Sequence, residues 1–155
     1  MPESLRDRLI GAWELVEVVE EPVDGSGPRH PHGRQPAGLI LYTPDGYMSA
    51  QIMQRDRPAI ASADWSGLTP EQYEQEARTY FAYSGPFSVD EERRIVTHTI
   101  DVSLFPGWVG QTQPRVARLD GDELRLSSAS PMSSGGQLVT ARLRRRRAAA
   151  PGAAE

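Results

Sequence analysis

Apolar and polar residues alternate along most of this chain, and turn-forming residues interrupt the alternation at short intervals. A period of two is the signature of strands with one buried face, because successive side chains point oppositely. The first such run, Trp-Glu-Leu-Val-Glu-Val-Val-Glu at residues 13–20, is entered through Gly11-Ala12. Further runs fall at residues 38–42, 47–53, 85–89, 95–104, 113–119, 123–128 and 136–144. Thr43-Pro44-Asp45-Gly46, Asp90-Glu91-Glu92 and Asp120-Gly121-Asp122 separate neighbouring runs and read as hairpin turns. The pattern therefore predicts eight strands.

Two helices interrupt them. Ser4-Leu5-Arg6-Asp7 has the spacing of a helix N-terminus, with Leu5, Leu9 and Ile10 on one apolar side. Thr69-Pro70-Glu71-Gln72 starts a second helix between the third and fourth strands, with an N-cap, a proline at the first helical position and an acid in the first turn. Tyr73, Ala77 and Tyr80 or Phe81 form its expected buried stripe. Eight antiparallel strands are enough to close on themselves and remove exposed sheet edges. The expectation is an all-β fold: a single eight-stranded antiparallel barrel over residues 1–144, followed by a flexible Arg/Ala-rich tail at 145–155.

An eight-stranded barrel is either filled by side chains or holds one small ligand. Met48, Ala50 and Ile52 make one face of the third strand apolar, while Tyr47, Ser49, Gln51 and Met53 make the other neither dry nor charged. This mixture, and the shared face of Gln113, Arg115 and Ala117, favours a cavity with a few polar anchors. The most informative segment is 95–115. Val96, His98, Ile100 and Val102 share one side of a strand, so an imidazole sits among aliphatics. Phe105-Pro106-Gly107-Trp108 follows as a turn bearing two aromatics, and Gln113 and Arg115 share a face of the next strand. A titratable ring, a guanidinium and aromatics around one hairpin suit a pocket lining, and a hydrogen-bonded core histidine is the competing reading. Tyr80 and Tyr83 flank the end of the second helix; a hydroxyl aimed into the barrel would polarise a carbonyl, and packing is the alternative.

Composition narrows the chemistry. The 155 residues suit one domain, and no apolar run approaches the roughly 20 residues of a membrane helix. Met1-Pro2-Glu3-Ser4 lacks the basic start and apolar stretch of a secretory signal, so a cytoplasmic protein is expected. There is no cysteine and no lysine, which excludes thiolate catalysis, sulfur-ligated zinc and a lysine Schiff base. A net charge of −4 gives no reason to expect nucleic acid. The basic block Arg144 to Arg147 reads as a solvated terminus. His30-Pro31-His32 lacks a nearby third ligand, so no metal is expected, and Asp56 between Arg55 and Arg57 reads as a loop salt bridge. No phosphate loop or nucleophile elbow occurs, and no cofactor is expected.

Gly11-Ala12-Trp13 resembles the Gly-x-Trp signature of lipocalins, in which the tryptophan plugs the barrel base and a late arginine packs over it. More specifically, the chain is similar to the bacterial and fungal lipocalin-like domain family of stand-alone small proteins. The matching pieces are Pro31-His32-Gly33, residues 38–42 with Asp45-Gly46-Tyr47-Met48-Ser49, Asp56-Arg57-Pro58, Tyr83-Ser84-Gly85, Val96-Thr97-His98, and Ser103-Leu104-Phe105-Pro106 with Trp108-Val109-Gly110 and Arg115. The resemblance implies a lipocalin-like barrel, with Arg142 or Arg144 as the arginine over Trp13, and supplies no catalytic motif. It also implies roles in carrying or shaping apolar polyketide- or terpenoid-like intermediates. Lacking disulfides and a secretion signal, the chain departs from extracellular lipocalin carriers.

Two functions fit these residues. The first is binding of a small, mostly apolar molecule, with Tyr42, Tyr47, Gln51, His98, Phe105 and Trp108 around it and Arg115 or Gln113 anchoring a carboxylate or carbonyl. The second is a cofactor-independent cyclase or isomerase. There His98 acts as general acid or base, Arg115 stabilises an enolate and Tyr83 assists. Either way the expected partner is a small apolar molecule, without nucleic acid or membrane, and a homodimer is left open.

Overall fold

A computed structural model describes residues 2–152 of the chain. In chain order the elements are α1 (Leu5–Leu9), β1 (Gly11–Pro22), β2 (Ala37–Tyr42), β3 (Tyr47–Met53), α2 (Pro70–Thr79), β4 (Tyr80–Asp90), β5 (Ile95–Thr99), β6 (Val102–Ser103), β7 (Thr112–Asp120), β8 (Glu123–Ser128), β9 (Met132–Ser134) and β10 (Gln137–Arg147). Eight of these strands pair antiparallel in the order β1-β2-β3-β4-β5-β7-β8-β10, and β10 pairs back onto β1. The sheet is thereby a closed eight-stranded barrel. The short strands β6 and β9 are additions that pair with β4 and β10.

Side-chain parity decides what fills the barrel. Met48, Ala50 and Ile52 of β3, Val96 and His98 of β5, and Gln113, Arg115 and Ala117 of β7 are all buried. In β1 the parity changes once. Trp13 and Leu15 are buried, and so are Val18, Glu20 and Pro22. The change follows a register shift against β10 between Leu15 and Glu17, where Val16 is the extra residue of a bulge. The main core joins Leu5 and Leu9 of α1 to Trp13, Ile40, Tyr42, Met48, Phe87, Val96 and Leu124. Ser4 caps α1 by accepting a hydrogen bond from the Asp7 amide at 3.0 Å.

The strand expected at 95–104 is divided. β5 ends at Thr99, and the chain then leaves β7 to pair with β4 as β6. At the break the Asp101 amide donates to the Ser84 carbonyl at 2.9 Å. The Thr99 carbonyl passes 1.9 Å from where a Cβ on Gly85 would sit, so only glycine fits there. Parity is lost across the break, and Val102 faces out at 61% exposure instead of sharing the side of His98.

α2 also departs from expectation. Its N-terminus carries a full capping box between Thr69 and Gln72, yet no residue of the helix is buried. Tyr73 packs edge-on against the exposed Trp65, with ring centroids 5.5 Å apart, and donates to the Trp65 carbonyl. Tyr80 and Phe81 belong to β4, which starts directly after the helix because Met53 pairs with Tyr80. Asp56 forms no ion pair among the described residues; Arg55 donates instead to the carbonyls of Gln35 and Pro36, and Arg57 to the Thr79 hydroxyl.

The last strand continues past residue 144. β10 runs to Arg147, with Arg145 opposite Leu15 and Leu124 and Arg147 opposite Trp13. The first part of the tail expected at 145–155 is therefore barrel wall. The ladder persists because both flanking strands still offer backbone partners. Residues 153–155 of that tail lie outside the described residues.

Candidate functional site

Strand β10 carries the site's central residue. Its inward positions are Val139, Ala141 and Leu143, and the next residue of the same parity is Arg145. That guanidinium is 0% exposed, and its Nε and Nη1 atoms have no hydrogen-bond partner among the described residues. Burial lowers its pKa, opposed by the neighbouring Tyr83 and Tyr42, but an arginine remains cationic in proteins.

Arg145 borders a cavity of about 330 Å³ inside the barrel. Ile52, Phe81, Leu126 and Leu143 supply apolar wall, and His98, Arg115 and Arg145 supply polar surface. Arg115 spends part of its fork on the protein, donating from Nη2 to Gln113 Oε1 at 2.6 Å and from Nη1 to the Pro114 carbonyl at 3.2 Å. Neither Arg115 nor Arg145 meets a carboxylate in an ion pair among the described residues. Glu20 lines the cavity as well, but its charge is matched by Arg29, whose Nη2 lies 3.2 Å from Glu20 Oε1.

His98 stands between these cations, 1% exposed, with Nε2 at 2.7 Å from the Tyr42 hydroxyl. Burial first, then the charges of Arg115 and Arg145, push its pKa down to about 3. The imidazole is thus neutral at pH 7, and its Nδ1 has no partner. Burial likewise holds the Tyr42 hydroxyl protonated, well above the usual tyrosine range. A ladder of rings leads away from this floor: Tyr83 lies 6.0 Å from His98 and 5.5 Å from Trp108, and Trp108 lies 4.7 Å from Phe81, measured between centroids. Pro31, His32 and Arg78 contribute rim residues from the β1–β2 loop and the end of α2. Burial lowers the pKa of His32 too. The hollow beside α2, lined by Arg57, Pro58 and Gln75 among others, consists of exposed and half-buried residues.

The opposite end of the barrel is built differently. Trp13 is fully buried and donates from Nε1 to the Leu9 carbonyl at 2.9 Å. Arg147 covers its ring at 4.1 Å and donates to the carbonyls of Arg8 and Ile10. The lipocalin-like domain model matches residues 10–148, which spans the barrel from Trp13 to Arg147. The chain belongs to the lipocalin-like domain family.

One curated relative is the 4'-hydroxy-3'-methoxypropiophenone carrier protein of Aspergillus oryzae, 36% identical over 91 residues that cover 55% of this chain and 82% of that protein. No solved structure matches the chain significantly. Within this lipocalin-like barrel the arginine over the plug is Arg147, not Arg142 or Arg144. Arg142 pairs outside with Glu21, and Arg144 precedes the inward-facing Arg145.

The structure brings together four of the residues singled out in the sequence: His98, Arg115, Tyr83 and Trp108 all line the cavity. Tyr42 and Gln113 are buried behind this lining, hydrogen-bonded to His98 and Arg115 respectively. Tyr47, 53% exposed, and Gln51 face outward, because the apolar face of β3 is the one that enters the barrel. Gln51 there accepts a hydrogen bond from Tyr80. Phe105 is exposed and borders an adjoining hollow with Gln111, Gln113 and Pro131, which shares Trp108 and Arg115 with the cavity. The one-turn helix Pro106–Trp108 carries Trp108 inward and leaves Phe105 folded over Gly107. Arg145, Phe81 and His32 were missed by sequence reasoning. Arg145 had a signal, the parity of Val139, Ala141 and Leu143, but the run of four arginines masked it.

Proposed function

We propose that this protein binds a small, mostly apolar molecule of polyketide or terpenoid type inside the barrel, with the ligand's oxygen-bearing end against Arg145, Arg115 and His98. The observation that carries the reading is Arg145, a fully buried guanidinium with two unpaired nitrogens on the wall of a cavity. A buried donor without an acceptor is costly, and a ligand oxygen relieves that cost. The cavity volume lies at the small end of ligand pockets, suited to one substituted ring or a short chain. Family membership and the carrier named among its relatives support small-molecule binding in the same direction.

The second reading, a cyclase or isomerase driven by His98, draws no support from the site. A general base works best when its pKa lies near the operating pH, and burial and the two arginines lower that of His98 in the empty barrel. The test is calorimetric titration with 4'-hydroxy-3'-methoxypropiophenone, the molecule in the relative's name. Saturable one-to-one binding is expected, and it should vanish in Ala141→Phe, which fills the cavity from β10. Absence of saturable binding to the wild-type barrel overturns the proposal.

A further inference from the structure

Arg115 and Arg145 border the cavity without a carboxylate partner among the described residues, while its one carboxylate, Glu20, is already matched by Arg29. The remaining ionisable groups that face this floor come from every side of the barrel. Tyr42 of β2 is held protonated, Tyr83 of β4 stands beside the ring ladder, and His98 of β5 is neutral. At the rim, His32 is discouraged from charging by burial, and Arg78 pairs with Glu74 at 2.8 Å. The floor therefore carries an uncompensated positive field between apolar walls, which strengthen it. A cation buried without a partner is unfavourable for the empty protein, and a bound anion reverses that.

We infer that the barrel holds its ligand as an anion: the cargo is an aromatic molecule with one acidic phenolic hydroxyl, bound as the phenolate against Arg145 and Arg115. This deepens the binding reading above and rests on it. The ring of such a ligand fits the wall made by Phe81, Tyr83 and Trp108, and its oxygen lies towards the guanidinium groups of Arg115 and Arg145 that border the same cavity. On binding, the phenol gives its proton to solvent, and the guanidinium already present supplies the counter-charge.

The experiment uses the whole chain and 4'-hydroxy-3'-methoxypropiophenone beside its 4'-O-methyl ether, which cannot ionise. Ionised phenols absorb at longer wavelength than neutral ones, so the bound ligand's charge is read directly from its spectrum across pH. The bound phenol should ionise at least about one pH unit below the free compound, as a group beside an opposite charge does. The ether should bind more weakly by roughly tenfold or more. In Arg145→Met the phenol should lose roughly thirtyfold in affinity, the ether should change little, and the ionisation midpoint should move back towards that of free phenol. Arg115→Met provides a second variant with the same expected direction should the first fail to fold. If phenol and ether bind equally, or the bound phenol ionises no earlier than the free one, the anion inference is overturned while the binding reading stands. If neither binds, both fall together.

Discussion

Arg145 and Arg147 lie two residues apart on the same strand and the same side of the barrel wall, yet they do opposite things. Arg147 finds acceptors wherever it turns. Two carbonyls at the end of α1 receive its Nη atoms, at 2.7 and 3.1 Å, and the Trp13 ring lies beneath it. Arg145 is more deeply buried and finds none for Nε or Nη1 among the described residues. Burial alone thus does not tell a guanidinium held by acceptors from one left without them. What separates them is whether the fold supplies the acceptors. At the plugged end it does, and the arginine acts as mortar; in the cavity, among the described residues, it does not.

The largest expected effect tests the plugged end. Trp13→Ala should cost about 3–5 kcal/mol, the usual cost of truncating a buried aromatic, read by urea denaturation. A cost below about 1 kcal/mol would mean that Arg147 and α1 are not organised around this ring. Next comes the cavity's response to acid. The folded-state pKa of His98 is depressed from 6.5 to about 3, so below pH 6.5 the unfolded chain takes up a proton that the folded chain refuses. Stability must therefore fall as pH drops through this window, by about 2 kcal/mol between pH 6.5 and about pH 5. His32, shifted in the same direction, adds to the slope. The difference between wild type and His98→Gln isolates the His98 share, and identical slopes would show that His98 is not held neutral.

The two arginines can then be set against each other. Arg147→Met strands the carbonyls of Arg8 and Ile10 and removes the contact with Trp13, and should lower stability by about 1–3 kcal/mol. Arg145→Met removes an unpaired buried charge and leaves an apolar side chain of similar length. Its stability should stay within about 1 kcal/mol of wild type or rise. Denaturation curves of both variants, measured in one series, check this. Equal losses would erase the distinction between them.

Much of this was legible beforehand. Alternation gave every principal strand, and the Gly11-Ala12-Trp13 resemblance pointed to the plug. Parity also placed His98 and Arg115 inside together, because β5 and β7 pair directly with His98 opposite Gln113. What failed is equally physical. Alternation says which residues share a face, not which face becomes the interior. Tyr47 and Gln51 were therefore assigned to the cavity when Met48, Ala50 and Ile52 had the stronger drive to be buried. Arg145 was lost because four consecutive arginines read as solvated on composition. The plug arginine sat three or five residues beyond the candidates Arg144 and Arg142, since the strand kept its partners to Arg147. The break at Gly85 and Thr99 depends on two backbones crossing closely, which a one-dimensional pattern does not register.

The seam between β1 and β10 has a kinetic consequence. It joins residues as far apart in the chain as Trp13 and Arg147, so the ring closes through its most distant contacts. Loop-closure entropy makes such contacts late and slow. During synthesis the first seven principal strands can form an open sheet with nothing to complete it until β10 has left the ribosome. Until it arrives, the barrel around Trp13 is not closed. The step that seals the base is the same one that brings Arg145 into the barrel wall.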